Sequence, residues 1–186
     1  SSTGLPSKGE LEIINKLKNN VSKAVTNEIY DPGKTDGSGN NRKNLRKAIQ
    51  ILKEANYKLE NNILKNSDGK QIKFEILLIS PAFERIVGPF IKNLKKLGVE
   101  ANIRIVDTAQ YKNRLDSYDF DMVVMARGQS LNPGNEQRNF WSSKSADING
   151  SANWIGVKNK TIDELIELII QAPNREKLII YTKLLD

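Results

Sequence analysis

Neither cysteine nor histidine occurs in the 186 residues. Their absence removes thiolate and imidazole metal ligands, and with them the common zinc sites. It also removes Cys–His and Ser–His–Asp catalysis, so carboxylate or lysine chemistry is what an enzyme would have left. No disulfide framework can form. Long apolar runs are missing too: none approaches the roughly 20 residues that span a bilayer. Ser1 to Gly9 is polar and interrupted by Gly4, Pro6 and Gly9, unlike a secretory signal. Exported proteins lose their signals, so this leaves the compartment open.

What is present is ordinary for a packed domain, with 38% hydrophobic and 27% charged residues. A chain of this length buries about 70% of its unfolded surface. The 29 Lys and Arg outweigh 22 Asp and Glu, a net charge of +7. Such an excess can attract nucleic acid or anionic lipid. Here the basic residues scatter along helices, and the aromatics do not interleave with them as a stacking platform requires. The charge is read as solvated surface, and no nucleic-acid partner is expected.

The order of elements is legible from periodicity. Glu10 to Lys18 carries Leu11, Ile14 and Leu17 at helical spacing. Asn27 to Asn41 reads as loop. Leu45, Ala48, Ile49 and Leu52 define a helix from about Lys43 to Ala55, capped by Asn40 or Asn41. Tyr57–Leu59 and Ile63–Lys65 flank Glu60-Asn61-Asn62 as a small hairpin. A βαβαβ pattern follows: strand Ile72 to Ile79, helix Ala82 to Leu97, strand Val99 to Val106, helix Thr108 to Leu115, strand Phe120 to Ala126. Pro89 should kink the first of these helices and Gly98 end it. Val99, Ala101, Ile103 and Ile105 should face inward. Alternating strands and helices imply a parallel sheet with right-handed crossovers. Asn135 to Trp141 reads as a helical turn and Ser142 to Lys160 as irregular. Thr161 and Glu164 form a capping box for the next helix, and Asn174 caps the last. Both ends of the chain are abrupt, so an excised piece of a longer protein is expected.

The densest polar segment is RGQSLNPGNEQRNFW, directly after the third strand. The apolar run from Met122 to Ala126 should be covered on both faces, as a central parallel strand is. In open α/β sheets, ligands bind outside the carboxyl ends of the strands. Arg127, Gln129, Ser130, Asn132 and Glu136 are therefore candidate ligand contacts. A guanidinium at Arg127 could clamp a carboxylate; its bland alternative is a structural ion pair, with Glu136 as partner. Arg114 is a second, weaker candidate. Trp141 and Trp154 read as packing residues rather than ligand walls.

Other motifs reduce to structure. Gly33-Lys34-Thr35 ends like a P-loop, but Glu28 stands where the first glycine belongs. Gly37-Ser38-Gly39 begins a dinucleotide fingerprint, but Arg42 replaces the third glycine. A tight turn is the simpler reading. Asp119 and Asp121 could share a face as a catalytic pair, but both sit at a strand entry, away from the polar loop.

Several stretches carry a family resemblance: NSDGKQIKFEILLIS, IKNLKKLGVEANIRIVD and YKNRLDSYDFDMVV. These resemble family 5 extracellular solute-binding proteins, the peptide- and nickel-binding components of bacterial ABC importers. TDGSGNNRKNLRKA, SPAFERIVGPFIKNLKKLG, QSLNPGNEQRNFW and GSANWIGVKN look like the Yej-type subgroup, which takes up oligopeptides and microcin C. The resemblance implies an α/β fold, a lobe of the class II periplasmic-binding-protein type with a βαβαβ core sheet, flanking helices and a small hairpin. Residues 1–186 would form a single lobe of a two-lobed protein whose N-terminal lobe and extreme C-terminus lie outside this chain. It implies a periplasmic, monomeric binding protein rather than an enzyme, without cofactor or metal. Its partners would be an oligopeptide, the N-terminal lobe and an inner-membrane ABC permease. The lack of cysteine suits that compartment. Carried over, the ligand-contact loop is Arg127, Gly128, Gln129, Ser130, Leu131 and Asn132. Arg127 stands where the subgroup has an aromatic residue, and Ser130 roughly where oligopeptide-binding relatives place an aspartate for the ligand's ammonium. That departure points toward a carboxylate or phosphate. The alternatives are an α/β enzyme using Asp119, Asp121 or Glu136, and a basic nucleic-acid-binding module.

Overall fold

A computed structural model of the chain describes residues 4–17, 21–29 and 33–186. They fall into two compact units, one formed by Ser1–Pro32 with Arg127–Asp186 and the other by Gly33–Ala126.

The first unit begins with α1 (Lys8–Ile14) and α2 (Lys23–Asn27). Ser7 and Glu10 make a reciprocal capping box at the start of α1: the Ser7 N–H donates to Glu10 Oε2 at 2.6 Å, and the Glu10 N–H to Ser7 Oγ at 3.4 Å. The expected extension of α1 to Lys18 ends on a residue outside those described.

The second unit holds α3 (Arg42–Glu54), the hairpin β1 (Lys58–Glu60) and β2 (Ile63–Lys65), and then β3 (Lys73–Leu78), α4 (Glu84–Lys96), β4 (Glu100–Ile105), α5 (Thr108–Asp116) and β5 (Met122–Val123). The strands β4-β3-β5 form a parallel sheet in that order. Alternation along β3 sends Ile76 and Leu78 to one face, against Val87 and Ile91 of α4. Leu77 goes to the other, against Tyr111 and Leu115 of α5. All three β3 residues are essentially inaccessible.

Central position therefore belongs to β3, and the third strand is corrected. β5 is an edge strand of two residues, paired with β3 only at Ile76↔Met122 and Leu77↔Val123. Met122 is 38% and Met125 37% exposed. The Asp121 carboxylate accepts the Glu75 N–H at 2.9 Å, so a side chain takes the donor that a longer strand would have paired. Ile105 is also corrected: it lies at the end of the other edge strand and is exposed, whereas Val106 beyond it is buried. Pro89 sits inside α4, whose helical span continues past it.

Gly98 joins the hairpin to this layer. Its φ of +80° ends α4 in the left-handed region. Its carbonyl accepts the Leu64 N–H at 2.8 Å. Leu64 is buried with Leu97 and Val99, under Leu45, Ala48 and Leu52 of α3. The Gly37–Gly39 segment is a turn, with Asp36 accepting the Ser38 N–H at 2.9 Å.

Returning to the first unit, α6 (Glu136–Trp141), α7 (Lys160–Ile170) and α8 (Arg175–Leu185) complete the chain. Thr161, Leu165, Ile166 and Ile169 give α7 its buried stripe, and α8 packs on it. The cap of α7 is corrected: Asn159, not Thr161, accepts from the Thr161 and Ile162 N–H groups, and Thr161 is buried inside the first turn. Asn174 caps α8 as expected, accepting the Lys177 N–H at 2.9 Å.

Two outcomes follow. A Cβ on residue 98 would lie 2.5 Å from Leu59 Cδ1 and 2.6 Å from the Leu64 backbone nitrogen. Gly98→Ala should therefore destabilise the chain by about 2–4 kcal/mol in urea unfolding. Glu10 is buried, and the Lys183 ammonium at 2.7 Å holds its carboxyl down to about 2, helped by the Ser7 N–H. A carboxyl depressed in the folded state stabilises above its ordinary value of 4.5 and loses that contribution as pH falls toward 2. The urea midpoint should drop across that window, and Glu10→Gln should flatten the drop.

Candidate functional site

The polar loop begins with an arginine set among aromatic rings. The Arg127 guanidinium carbon lies 4.1 Å from the Phe140 ring centre, 4.6 Å from Trp154 and 4.7 Å from Trp141. Its Nη2 donates to the Ala152 carbonyl. Nε and Nη1 are shielded from solvent and make no hydrogen bond among the described residues. The ring faces are what this cation meets. A cation over an aromatic face gains about 0.5–2 kcal/mol, more when desolvated, and a planar guanidinium stacks where an ammonium cannot. Burial pushes its pKa down from the ordinary value, yet an arginine stays charged.

The walls of this box are themselves fixed. Phe140 and Trp141 lie on α6, four and five residues after Glu136 opens it. Trp154 and Ala152 lie in the irregular stretch after Ser142, held by Asn153, which is fully buried. The Asn153 Nδ2 donates to the Ser142 and Val157 carbonyls at 3.1 and 3.0 Å, and its Oδ1 accepts the Val157 N–H at 2.9 Å. The Asn153 N–H donates to Ser151 Oγ at 3.2 Å, and that hydroxyl donates to the Ser145 carbonyl at 2.7 Å. A largely irregular segment thus pairs buried polar groups through side chains, the Asn153 carboxamide and the Ser142, Ser145 and Ser151 hydroxyls.

Beyond Arg127 the loop turns outward. Gly128, Gln129, Ser130, Leu131 and Asn132 are all exposed, Leu131 at 84%. Ser130 Oγ accepts the Asn132 N–H at 3.1 Å, a local turn bond. Arg175, first residue of α8, reaches back to the Leu131 carbonyl at 2.5 Å and to Asn132 Oδ1. Pro133 is buried. Past it, Arg138 of α6 makes a two-point pair with Glu167 of α7, Nε–Oε1 2.7 Å and Nη2–Oε2 2.6 Å, and donates to Asn135 Oδ1 at 2.8 Å. This pair raises the arginine's pKa and lowers the carboxylate's.

The candidates named from sequence divide accordingly. Residues 128–132 form one contiguous exposed stretch. Arg127 is tied to the same unit but turned into the ring box, and its expected ion pair with Glu136 is corrected. Glu136 instead accepts the Gly134 N–H at 2.8 Å and a Gln137 amide hydrogen at 3.2 Å, and the first of these leads in holding its pKa below the carboxylate range. Arg114 lies in the other unit. It pairs with Glu75 Oε1 at 2.9 Å and Asp119 Oδ2 at 3.0 Å, chiefly through Glu75, which raises its pKa. Asp119 and Asp121 are thus occupied by Arg114 and the Glu75 N–H. Among the described residues no group of three or more acidic side chains is placed to hold a metal.

Phe140, Asn153, Arg138 and Arg175 were not singled out from sequence. Asn153 carried a faint signal, a carboxamide inside a Ser- and Asn-rich stretch without periodicity, where side chains do the pairing that helices and strands do elsewhere.

Both tryptophans of the chain wall the same guanidinium, so their fluorescence reports on it. Arg127→Lys puts a strongly hydrated ammonium among rings that offer it no acceptor oxygen. It should shift the tryptophan emission and lower stability by about 1–3 kcal/mol in urea unfolding.

Residues 12–149 match the family described as bacterial extracellular solute-binding proteins, family 5. The chain is 43% identical over its full length to the probable peptide-binding protein YejA of Agrobacterium fabrum, of which it spans 30%. It is 39% identical over 90% of its length to the peptidoglycan-binding protein YepA of the same organism, of which it spans 27%. The structure of the oligopeptide-binding protein AppA from Bacillus subtilis, in complex with a nonapeptide, superposes with a TM-score of 0.64 and 27% identity over 75% of this chain and 28% of AppA. With its parallel sheet, its polar loop after β5 and its match across residues 12–149, the chain belongs to the family 5 bacterial extracellular solute-binding proteins.

Proposed function

We propose that this chain is one lobe of a two-lobed periplasmic receptor that captures peptides for an ABC importer. The observation that carries the reading is the exposed stretch Gly128–Asn132, five residues turned outward between a half-buried arginine and a buried proline. It offers donors and acceptors at fixed positions without a wall of its own, as half of a cleft would. A partner lobe would close over it by hinge motion, and the closed form would dock on an inner-membrane permease. The relatives named for peptide and peptidoglycan binding support a peptide-like ligand.

Ligand contact is assigned to Gly128, Gln129, Ser130, Leu131 and Asn132. Arg127 supports the loop from beneath, and Arg114 and Glu136 serve structure. Binding, not catalysis, is the mechanism: the carboxylates considered for chemistry, Asp119, Asp121 and Glu136, are each engaged with a backbone donor or an arginine.

Calorimetry tests this. The full-length protein should bind short peptides, or the stem peptide of peptidoglycan, with Kd on the order of micromolar. Gln129→Ala with Ser130→Ala should weaken binding about tenfold. The 186-residue chain alone should bind no tighter than about 1 mM, because it supplies half of the contacts. Micromolar binding by the isolated chain, or none by the full-length protein, contradicts the reading.

A further inference from the structure

We propose that Arg175 is the positioning residue of the ligand loop and that it fixes which face of the Asn132 carboxamide a ligand meets. The inference rests on the reading that residues 128–132 contact ligand. Arg175 lies more than forty residues beyond the loop, yet one of its nitrogens donates both to the Leu131 carbonyl and to Asn132 Oδ1. Its own backbone is set by the capped first turn of α8, where Asn174 holds the Lys177 N–H, and α8 rests on α7 with its buried stripe.

The chemistry is directional. An arginine only donates, so the carboxamide atom facing it must be the oxygen. The Asn132 Oδ1 is thereby occupied, while its NH2 makes no hydrogen bond among the described residues, on a side chain that is exposed. The Leu131 carbonyl is likewise drawn toward Arg175. At its C-terminal end, then, the loop presents a donor rather than an acceptor. It is suited to a ligand acceptor, such as a peptide carbonyl or a carboxylate, rather than to an ammonium. This agrees with the presence of Ser130, and not an acidic residue, two positions earlier.

Three variants of the full-length protein separate the parts: Arg175→Ala, Arg175→Lys and Asn132→Asp. Hydrogen exchange at the Asn132 N–H, which donates to Ser130 Oγ within the turn that Arg175 holds, should be at least tenfold faster in Arg175→Ala at an unchanged melting temperature, read by mass spectrometry. It should be partly restored in Arg175→Lys, which keeps a cationic donor but not the planar guanidinium. Exchange that is unchanged in Arg175→Ala overturns the positioning role. Asn132→Asp keeps an acceptor for Arg175 but loses the outward NH2, so the loop should stay protected while affinity for tetraalanine falls at least tenfold. Unchanged affinity overturns the donor assignment. If the unaltered protein binds neither tetraalanine nor a peptidoglycan stem peptide, the peptide reading fails, and the exchange result still decides the role of Arg175.

Discussion

A cation enclosed by three aromatic rings is the constraint on which the polar loop depends. Arg127 opens the loop, and its guanidinium is held by Phe140, Trp141 and Trp154 together with one carbonyl oxygen. An arginine beside a carboxylate could trade that partner for a ligand's carboxylate. An arginine among ring faces has no such exchange available, because the rings would be left to close over an empty space. The box therefore fixes where the loop starts and spends the charge internally. The exposed residues that follow inherit a defined origin, which a binding loop needs if its hydrogen bonds are to be in place before the ligand arrives.

The sequence makes the repeating parts of the fold readable and leaves the contacts between distant segments unread. β3, β4, α3, α4 and α5 all emerge from periodicity within two residues of their ends, because hydrophobic alternation is a local property. The third strand does not, since an apolar run looks the same on a central strand and on a short edge strand. Here the Asp121 side chain takes the Glu75 N–H at the entry of β5, and the Tyr111 hydroxyl donates to the Val124 carbonyl at 2.9 Å just past its end, so the ladder is confined to Met122 and Val123. Thr161 and Glu164 satisfied the spacing of a capping box, but Asn159 satisfied the geometry two residues earlier. In each case a competing hydrogen bond from a nearby side chain set the boundary.

The same distinction applies at the site. That residues 128–132 face outward was legible, because Gly, Gln, Ser and Asn after an apolar run have little to gain from burial. The fate of Arg127 was not. Pairing by charge points to Glu136, which is near in sequence but already occupied by the Gly134 N–H. The rings that receive Arg127 are spread over fifteen positions, from Phe140 to Trp154, and the hydrogen bonds of Asn153 help bring them together. A resemblance to a family locates such a loop without explaining what holds it, and what holds this one is the ring box around Arg127.

The anchors of the loop differ in kind, and this gives its two ends different sensitivities. Arg127 relies on ring faces and a carbonyl, none of which titrates in the ordinary range. Arg138 relies on Glu167 and is exposed, so its pairing is screened by salt. Glu167 has its pKa lowered by that pairing, so the contact is intact above the ordinary carboxylate value and is lost as pH falls through the depressed one. Glu136, held down by the Gly134 N–H, follows the same sign. Acid and salt thus loosen the stretch after Pro133 while leaving the Arg127 end in place. The exposed residues 128–132 are held between Arg127 and Arg175, whose acceptors are ring faces, carbonyls and a carboxamide that do not titrate, so acid acts on the helix behind them rather than on the stretch itself.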